Sequence, residues 1–172
     1  MGKINIVLYE PEIPQNTGNI MRTCVATNTV LHLIEPLGFS LGEKEIKRSG
    51  ANYVKDAIYF TYKNFEEFLE KNKGEFYYLT RYGLKTIYDV NTTDISKDYY
   101  FILGKESTGI PTEILKHKLD KCIRLPMTDK VRALNLSNVA AIMVYEALRQ
   151  QGFPELSFTE PESLKGSNFL LK

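Results

Sequence analysis

Three separated groups of polar residues stand out because their neighbours are apolar or glycine. Asn19 and Arg22 lie one turn apart in a stretch, residues 19–28, where Ile20, Met21, Cys24 and Val25 recur at helical spacing. Arg22 is the only charge there. A guanidinium is effectively never deprotonated, so its chemistry is to bind an anion, orient a hydroxyl or stabilise developing negative charge. The plain reading is a surface arginine. The apolar neighbours instead predict a mostly buried helix, in which the charge needs an anionic or carbonyl partner. Glu106 follows an apolar strand and stands between Gly104 and Gly109. Its carboxylate could cap a short helix opening at Pro111 or serve a polar site. Asn135 opens the last long helix behind a loop that carries Thr128, Asp129, Lys130 and Arg132. Lys44, Lys47 and Arg48 share a short polar helix within residues 38–51, as a solvated face or a phosphate contact. His32 and His117 have no partners at ligand spacing, so no metal site is expected.

The elements that must position these groups alternate between strand and helix. Residues 4–8 form a nearly continuous apolar run, the mark of a strand covered on both faces in a parallel sheet. The segment from Glu10 to Asn19 reads as a turn, residues 30–34 as a second strand closed by Glu35-Pro36, and residues 57–60 as a weak third. Asn64 caps a helix with Glu66 and Glu67 in its first turn. Residues 76–80 and 99–103 are two more strands, and a short helix runs from Pro111 to about Lys118. Residues 122–125 form the last strand before a loop and the long helix. On that helix Leu136, Val139, Ala140, Met143 and Ala147 form one apolar stripe. Ala141, Val144, Tyr145 and Leu148 form a second, which predicts burial against the chain's own sheet and against another subunit. The expectation is an α/β fold with a mainly parallel sheet flanked by helices. Residues 1–153 read as one domain and 154–172 as a loosely held tail.

Composition narrows the function classes. Hydrophobic residues at 43% and charged residues at 25% suit a globular domain. A net charge of +1 excludes a global basic field, so any nucleic-acid contact must be a local patch. Cys24 and Cys122 sit in apolar contexts and read as buried thiols. No secretory leader or bilayer-length apolar run is visible, and the expected compartment is the cytoplasm. No G-x-G occurs, which argues against a dinucleotide fingerprint, and Tyr99 stands where a phosphate-cradling loop ending at Gly104-Lys105 would need glycine.

Three stretches, PEIPQNTGNIMRTC, FILGKESTGIP and IRLPMTDKVRALNLSNVAAIMVYEALRQ, resemble the three motifs of the SPOUT superfamily of RNA methyltransferases. The resemblance covers residues 4–153 and is closest to the minimal, TrmL-type branch, which methylates the wobble nucleotide of tRNA on its ribose 2′-hydroxyl. It implies a deep C-terminal trefoil knot, against the usual rule that chains do not thread. It also implies a homodimer packed through the first and last helices. The implied cofactor is S-adenosylmethionine, in a pocket of Leu79, Thr80, Gly104, Gly109, Ile123, Leu125, Met127, Ala133 and Leu134. Arg22 matches the arginine placed near the reacting hydroxyl. Asn16, Asn19, Glu106 and Asn135 are similar to the polar residues that brace it. The implied substrate is an anticodon stem-loop, met by a patch of Lys44, Lys47, Arg48, Lys130 and Arg132.

Two departures stand out. Ala133 occupies the place of a serine common before the Leu-Asn of the third motif, and Lys105 that of a proline in the second. Two other readings compete: an rRNA 2′-O-methyltransferase, which usually carries an added N-terminal RNA-binding domain, and a non-catalytic RNA-binding adaptor. The first motif starts by Pro11, and Arg22, Glu106 and Asn135 are all present, which favours the tRNA enzyme.

Overall fold

The computed structural model describes residues 1–42 and 55–171. The expected helix with Lys44, Lys47 and Arg48 lies outside the described residues. Among the described residues seven strands make one sheet in which every strand pairing is parallel: β1 (Ile4–Tyr9), β2 (Val30–Ile34), β3 (Tyr59–Tyr62), β4 (Glu75–Leu79), β5 (Lys85–Thr86), β6 (Tyr99–Leu103) and β7 (Cys122–Arg124). Their order is β3-β2-β1-β6-β4-β7-β5. The α/β class and parallel sheet are as expected.

Alternation along the central strands feeds two cores. Ile4, Ile6 and Leu8 of β1 and Phe101 and Leu103 of β6 face α1 (Pro14–Thr27) and α4 (Leu136–Gln151). Val7 and Ile102 face the other way, toward Phe65 and Phe68 of α2 (Phe65–Lys71) and Leu115 of α3 (Thr112–Leu115). The second apolar stripe of α4 is partly absorbed within the chain: Val144 and Leu148 join the first core, while Tyr145, and Ile142 beside the stripe, are 49% and 37% exposed. After α4, Phe153 and Leu156 still pack against that core.

Boundaries move where a distant contact decides them. Helix α1 begins at Pro14, inside the stretch expected to be a turn, because Pro suits the first helical position and a distant carboxylate fixes the N–H groups of Glu12 and Ile13 that lead into it. Strand β3 sits two residues later than expected, since Tyr62 is fixed by its bond to His32. Helix α3 ends at Leu115, a turn early. The two-residue β5 was not expected; Lys85-Thr86 carries no apolar signal and pairs only because β7 runs beside it.

Strand β7 lies between β4 and β5, so residues 80–84 must arch across it. The arch is seated tightly: Thr80 N–H donates to the Ile123 carbonyl at 2.9 Å, and a Cβ on Gly83 would meet Ile123 backbone at 2.5 Å. Beyond β5 the chain grips the far end of α4. Thr92 N–H donates to Gln150 Oε1 at 2.8 Å, and Gln151 Nε2 donates to the Thr92 carbonyl at 2.8 Å.

His32 is buried among aromatic rings in a hydrogen-bond chain whose directions are fixed. Asn5 Nδ2 donates to backbone carbonyls, so its Oδ1 accepts from His32 Nε2 at 3.0 Å. Tyr62 donates to Nδ1 at 2.8 Å and accepts from Asn72 Nδ2 at 3.1 Å. Burial outweighs the nearby Asp98 and brings the imidazole from 6.5 down to about 4. The unfolded chain therefore takes up this proton first as pH falls. Stability is whole above pH 6.5 and declines by about 1.4 kcal/mol per unit until about pH 4. Glutamine can donate to Asn5 and accept from Tyr62 while remaining neutral. Urea unfolding of His32→Gln should show a nearly flat midpoint between pH 7 and pH 5, where the parent loses about 2 kcal/mol; equal slopes would remove His32 from the pH response.

Candidate active site

Ligands of open α/β sheets bind beyond the carboxyl ends of the strands. The ends of β6, β4 and β7, neighbours in the sheet, open into one cleft of about 590 Å³. From β4 come Leu79, Thr80, Arg81 and Tyr82; from β6, the loop from Gly104 to Ile110; from β7, Leu125, Met127 and Arg132 to Leu136.

The β6 loop is closed on itself. Gly109 N–H donates to the Lys105 carbonyl at 2.9 Å, and Gly109 has a φ of +75°. A Cβ on Gly104 would lie 2.2 Å from Gly109 and Ile110 backbone atoms, so only glycine fits. At the loop's tip Glu106 does not cap the helix near Pro111. Its carboxylate holds the entry to α1, accepting from the N–H groups of Glu12 at 2.9 Å and of Ile13, the residue before the helix, at 3.2 Å. The same carboxylate accepts from Asn16 Nδ2 at 3.2 Å, and Asn16 Oδ1 accepts from Asn135 Nδ2 at 3.0 Å. Asn135 Oδ1 accepts from Ser137 N–H at 2.9 Å and so starts α4. The return contact is Glu12, which accepts from Ser107 N–H and Oγ, each at 2.9 Å; these bonds hold its carboxyl below the usual range. Lys105, where proline was noted as common, pairs with Glu10. Glu106, Asn16 and Asn135 thus form one relay on the cleft wall, joining three stretches distant in sequence.

Because Glu106 must accept on both oxygens, Glu106→Gln turns one acceptor into a donor facing a donor. The expected cost is about 1.5–3 kcal/mol of stability, and displacement of Asn16 and Asn135 should cost about 10²-fold in turnover. Thermal unfolding and single-turnover assays check both; a silent Glu106→Gln would mean the relay is dispensable.

Of the sequence-predicted pocket residues, Leu79, Thr80, Gly104, Gly109, Leu125, Met127, Ala133 and Leu134 line the cleft. Ile123 does not: it is fully buried in the core and contributes its carbonyl to the arch. Arg132 lines the cleft, whereas Lys130 is exposed outside its wall. Arg22 and Asn19 share a face as expected, but that face is exposed, not buried, and lies off the cleft. Arg22 sits six residues beyond Asn16, about 9 Å along the axis and turned roughly 120° away. Sequence reading missed Arg81, Tyr82 and Arg124, all on the wall. Each follows or ends a strand, which is the signal that could have found them. No carboxylate of the described residues pairs with Arg81, Arg124 or Arg132.

The chain is similar to several known proteins. A relative from Listeria monocytogenes is 54% identical over 153 residues, covering 88% of this chain and 90% of its own. A tRNA (cytidine(34)-2'-O)-methyltransferase from Saccharophagus degradans is 44% identical over 151 residues, covering 87% and 96%. A solved structure described as giving insights into the 2-OH methylation of C/U34 on tRNA is 35% identical, with a TM-score of 0.80 over 88% of this chain and 97% of that one. The family model of the SpoU rRNA methylases matches residues 3–145, a span that holds all seven strands, the arch and the whole relay. The chain belongs to the SpoU rRNA methylase family.

Proposed function

We propose that the chain transfers a methyl group from S-adenosylmethionine to the ribose 2′-hydroxyl of nucleotide 34 of tRNA, a cytidine or a modified uridine. The observation that carries this reading is the Glu106–Asn16–Asn135 relay on the wall of the cleft, in a chain 44% identical to a protein named tRNA (cytidine(34)-2'-O)-methyltransferase.

The residues present fit the cofactor. The cleft volume is within the range of small-molecule sites. Leu79, Leu125, Met127 and Leu134 offer apolar walls for an adenine, and the closed loop from Gly104 to Gly109 lets backbone approach without a side chain between. When bound, S-adenosylmethionine supplies a methyl already activated on a sulfonium. The protein's share is then placement, which can contribute roughly 7–11 kcal/mol to such a displacement. Asn16 and Asn135, locked by Glu106, hold the polar wall of the cleft in one geometry.

Arg22 is the group we assign to orienting the 2′-hydroxyl and stabilising its developing charge. Since it lies off its own cleft, it serves the cleft of a second copy. The homodimer packs α1 and α4 across the interface, covering Ile142 and Tyr145. The substrate is an anticodon stem-loop, whose unpaired nucleotides can be splayed into a site. Arg132 and Lys130 meet its phosphates, with Lys44, Lys47 and Arg48 as further candidates. The arch over β7 supports a knotted path for the C-terminal part. No described helix is long and apolar enough to cross a membrane, and the proposed compartment is the cytoplasm.

The test is methyl incorporation from labelled S-adenosylmethionine into tRNA lacking the wobble modification, with the labelled nucleotide mapped. Label on the ribose of nucleotide 34 is expected. Label on another nucleotide, or in rRNA instead, would overturn the substrate assignment.

A further inference from the structure

The arch over β7 carries a feature that the methylation chemistry leaves unused. Tyr82 stands at its crest, 68% exposed, yet it lines the mouth of the cleft. An exposed tyrosine on a floppy loop would mean little. Here the backbone beneath it is pinned on both sides. Thr80 Oγ1 accepts from Tyr82 N–H at 3.3 Å, the Thr80 carbonyl accepts from Gly83 N–H at 3.1 Å, and Gly83 is pressed against Ile123. The Arg81 guanidinium lies over the ring, 5.2 Å from its centre. A ring braced on one face by a cation offers the other as a flat, preorganised surface, and tyrosine does this at low entropy cost.

The surrounding charges indicate what would lie on it. Arg81, Arg124 and Arg132 all line the same cleft, and no carboxylate of the described residues pairs with any of them. A net charge of +1 for the whole chain makes three unpaired guanidinium groups at one mouth a concentrated anion site. Aromatic faces beside unpaired cations suit single-stranded nucleic acid, in which bases stack on rings while phosphates meet arginine.

We propose that Tyr82 is a stacking platform for the unpaired base next to the methylated nucleotide, with Arg124 and Arg132 holding the neighbouring phosphates. The proposal rests on the RNA methyltransferase reading and adds the element that seats the substrate strand. Stacking tolerates any base, so the platform sets how firmly the loop is held and leaves the choice of nucleotide to the cleft.

The test uses the full chain and a fluorescein-labelled anticodon stem-loop, with a second stem-loop carrying 2-aminopurine beside nucleotide 34. Tyr82→Ala is expected to weaken stem-loop binding and raise the KM for RNA by about tenfold, with S-adenosylmethionine affinity and melting temperature unmoved. The 2-aminopurine quench seen with the parent should vanish in Tyr82→Ala and return in Tyr82→Phe. Unchanged binding and quench would overturn the platform. A parallel fall in S-adenosylmethionine affinity would also overturn it, making Tyr82 a cover for the cofactor. The two readings separate cleanly. A parent that shows the Tyr82-dependent quench but leaves nucleotide 34 unmethylated overturns the methylation reading and keeps the platform. A parent that methylates nucleotide 34 as well as Tyr82→Ala does overturns the platform alone.

Discussion

Gly104→Ala is expected to lose S-adenosylmethionine binding by at least about 10²-fold and to unfold roughly 4–10 °C early. The cause is a close approach of backbone to backbone. A Cβ at Gly104 would stand 2.2 Å from the carbonyl carbon of Gly109 and the nitrogen of Ile110, and no side-chain rotation can relieve it. The loop must open, which breaks the bond from Gly109 N–H to the Lys105 carbonyl and swings Glu106 away from α1. Overpacking of this kind costs about 2–3 kcal/mol. Gly109→Ala is the informative contrast. Its φ of +75° disfavours a side chain, but a Cβ there meets nothing, so the cost should stay at about 1–2 kcal/mol. Calorimetric titration with the cofactor and a melting curve on both variants decide the matter. If Gly104→Ala binds like the parent, the loop is no part of the cofactor wall.

Arg22→Ala is expected to lower turnover by about 10²–10³-fold, the effect of removing a charge-stabilising donor, while cofactor binding and melting temperature stay near the parent's. Its exposed position away from its own cleft makes a further outcome decisive. A subunit carrying Arg22→Ala keeps a sound cleft, and one carrying Gly104→Ala keeps a sound arginine. If the chain forms the proposed homodimer, the two inactive variants mixed after unfolding together should regain about a quarter of parental activity, since half the dimers would pair unlike subunits and hold one complete site. If Arg22 served its own cleft, the mixture would stay as inactive as its parts.

The sheet was largely legible because its inner strands bury both faces. Runs such as Ile4–Leu8 and Tyr99–Leu103 contain few polar residues, and nothing but a covered parallel strand fits them at that length. Helix α4 was legible from the cap at Asn135 and the stripe behind it. The start of α1 was not, because its entry is fixed by Glu106, some ninety positions later, and local turn residues outweighed a tertiary partner. Strand β5 was hidden for a similar reason. In the site, the motifs named most of the cleft wall, while the side chains of two named residues lie elsewhere in this chain. Arg22 looked buried because Met21 and Cys24 beside it are; the helix simply turns that position outward. Ile123 was named through the family resemblance; its side chain points into the core, which leaves its backbone as the part that can meet a ligand. Arg81 and Tyr82 carry no periodic signal and become meaningful only once the arch brings them to the cleft.

That arch also bears on how the protein is made. Chains are synthesised from the amino end, and domains fold as they emerge. A nascent chain that has produced β1 to β6 has an unpaired edge on β4 and nothing to hold β5, because the strand that belongs between them is still to come. Such an edge invites pairing with other chains. The same late segment brings Leu125, Met127 and residues 132–135, a full side of the cleft. An interrupted message would therefore yield a sticky sheet with no activity, and a working enzyme appears only when translation has run through the final helix.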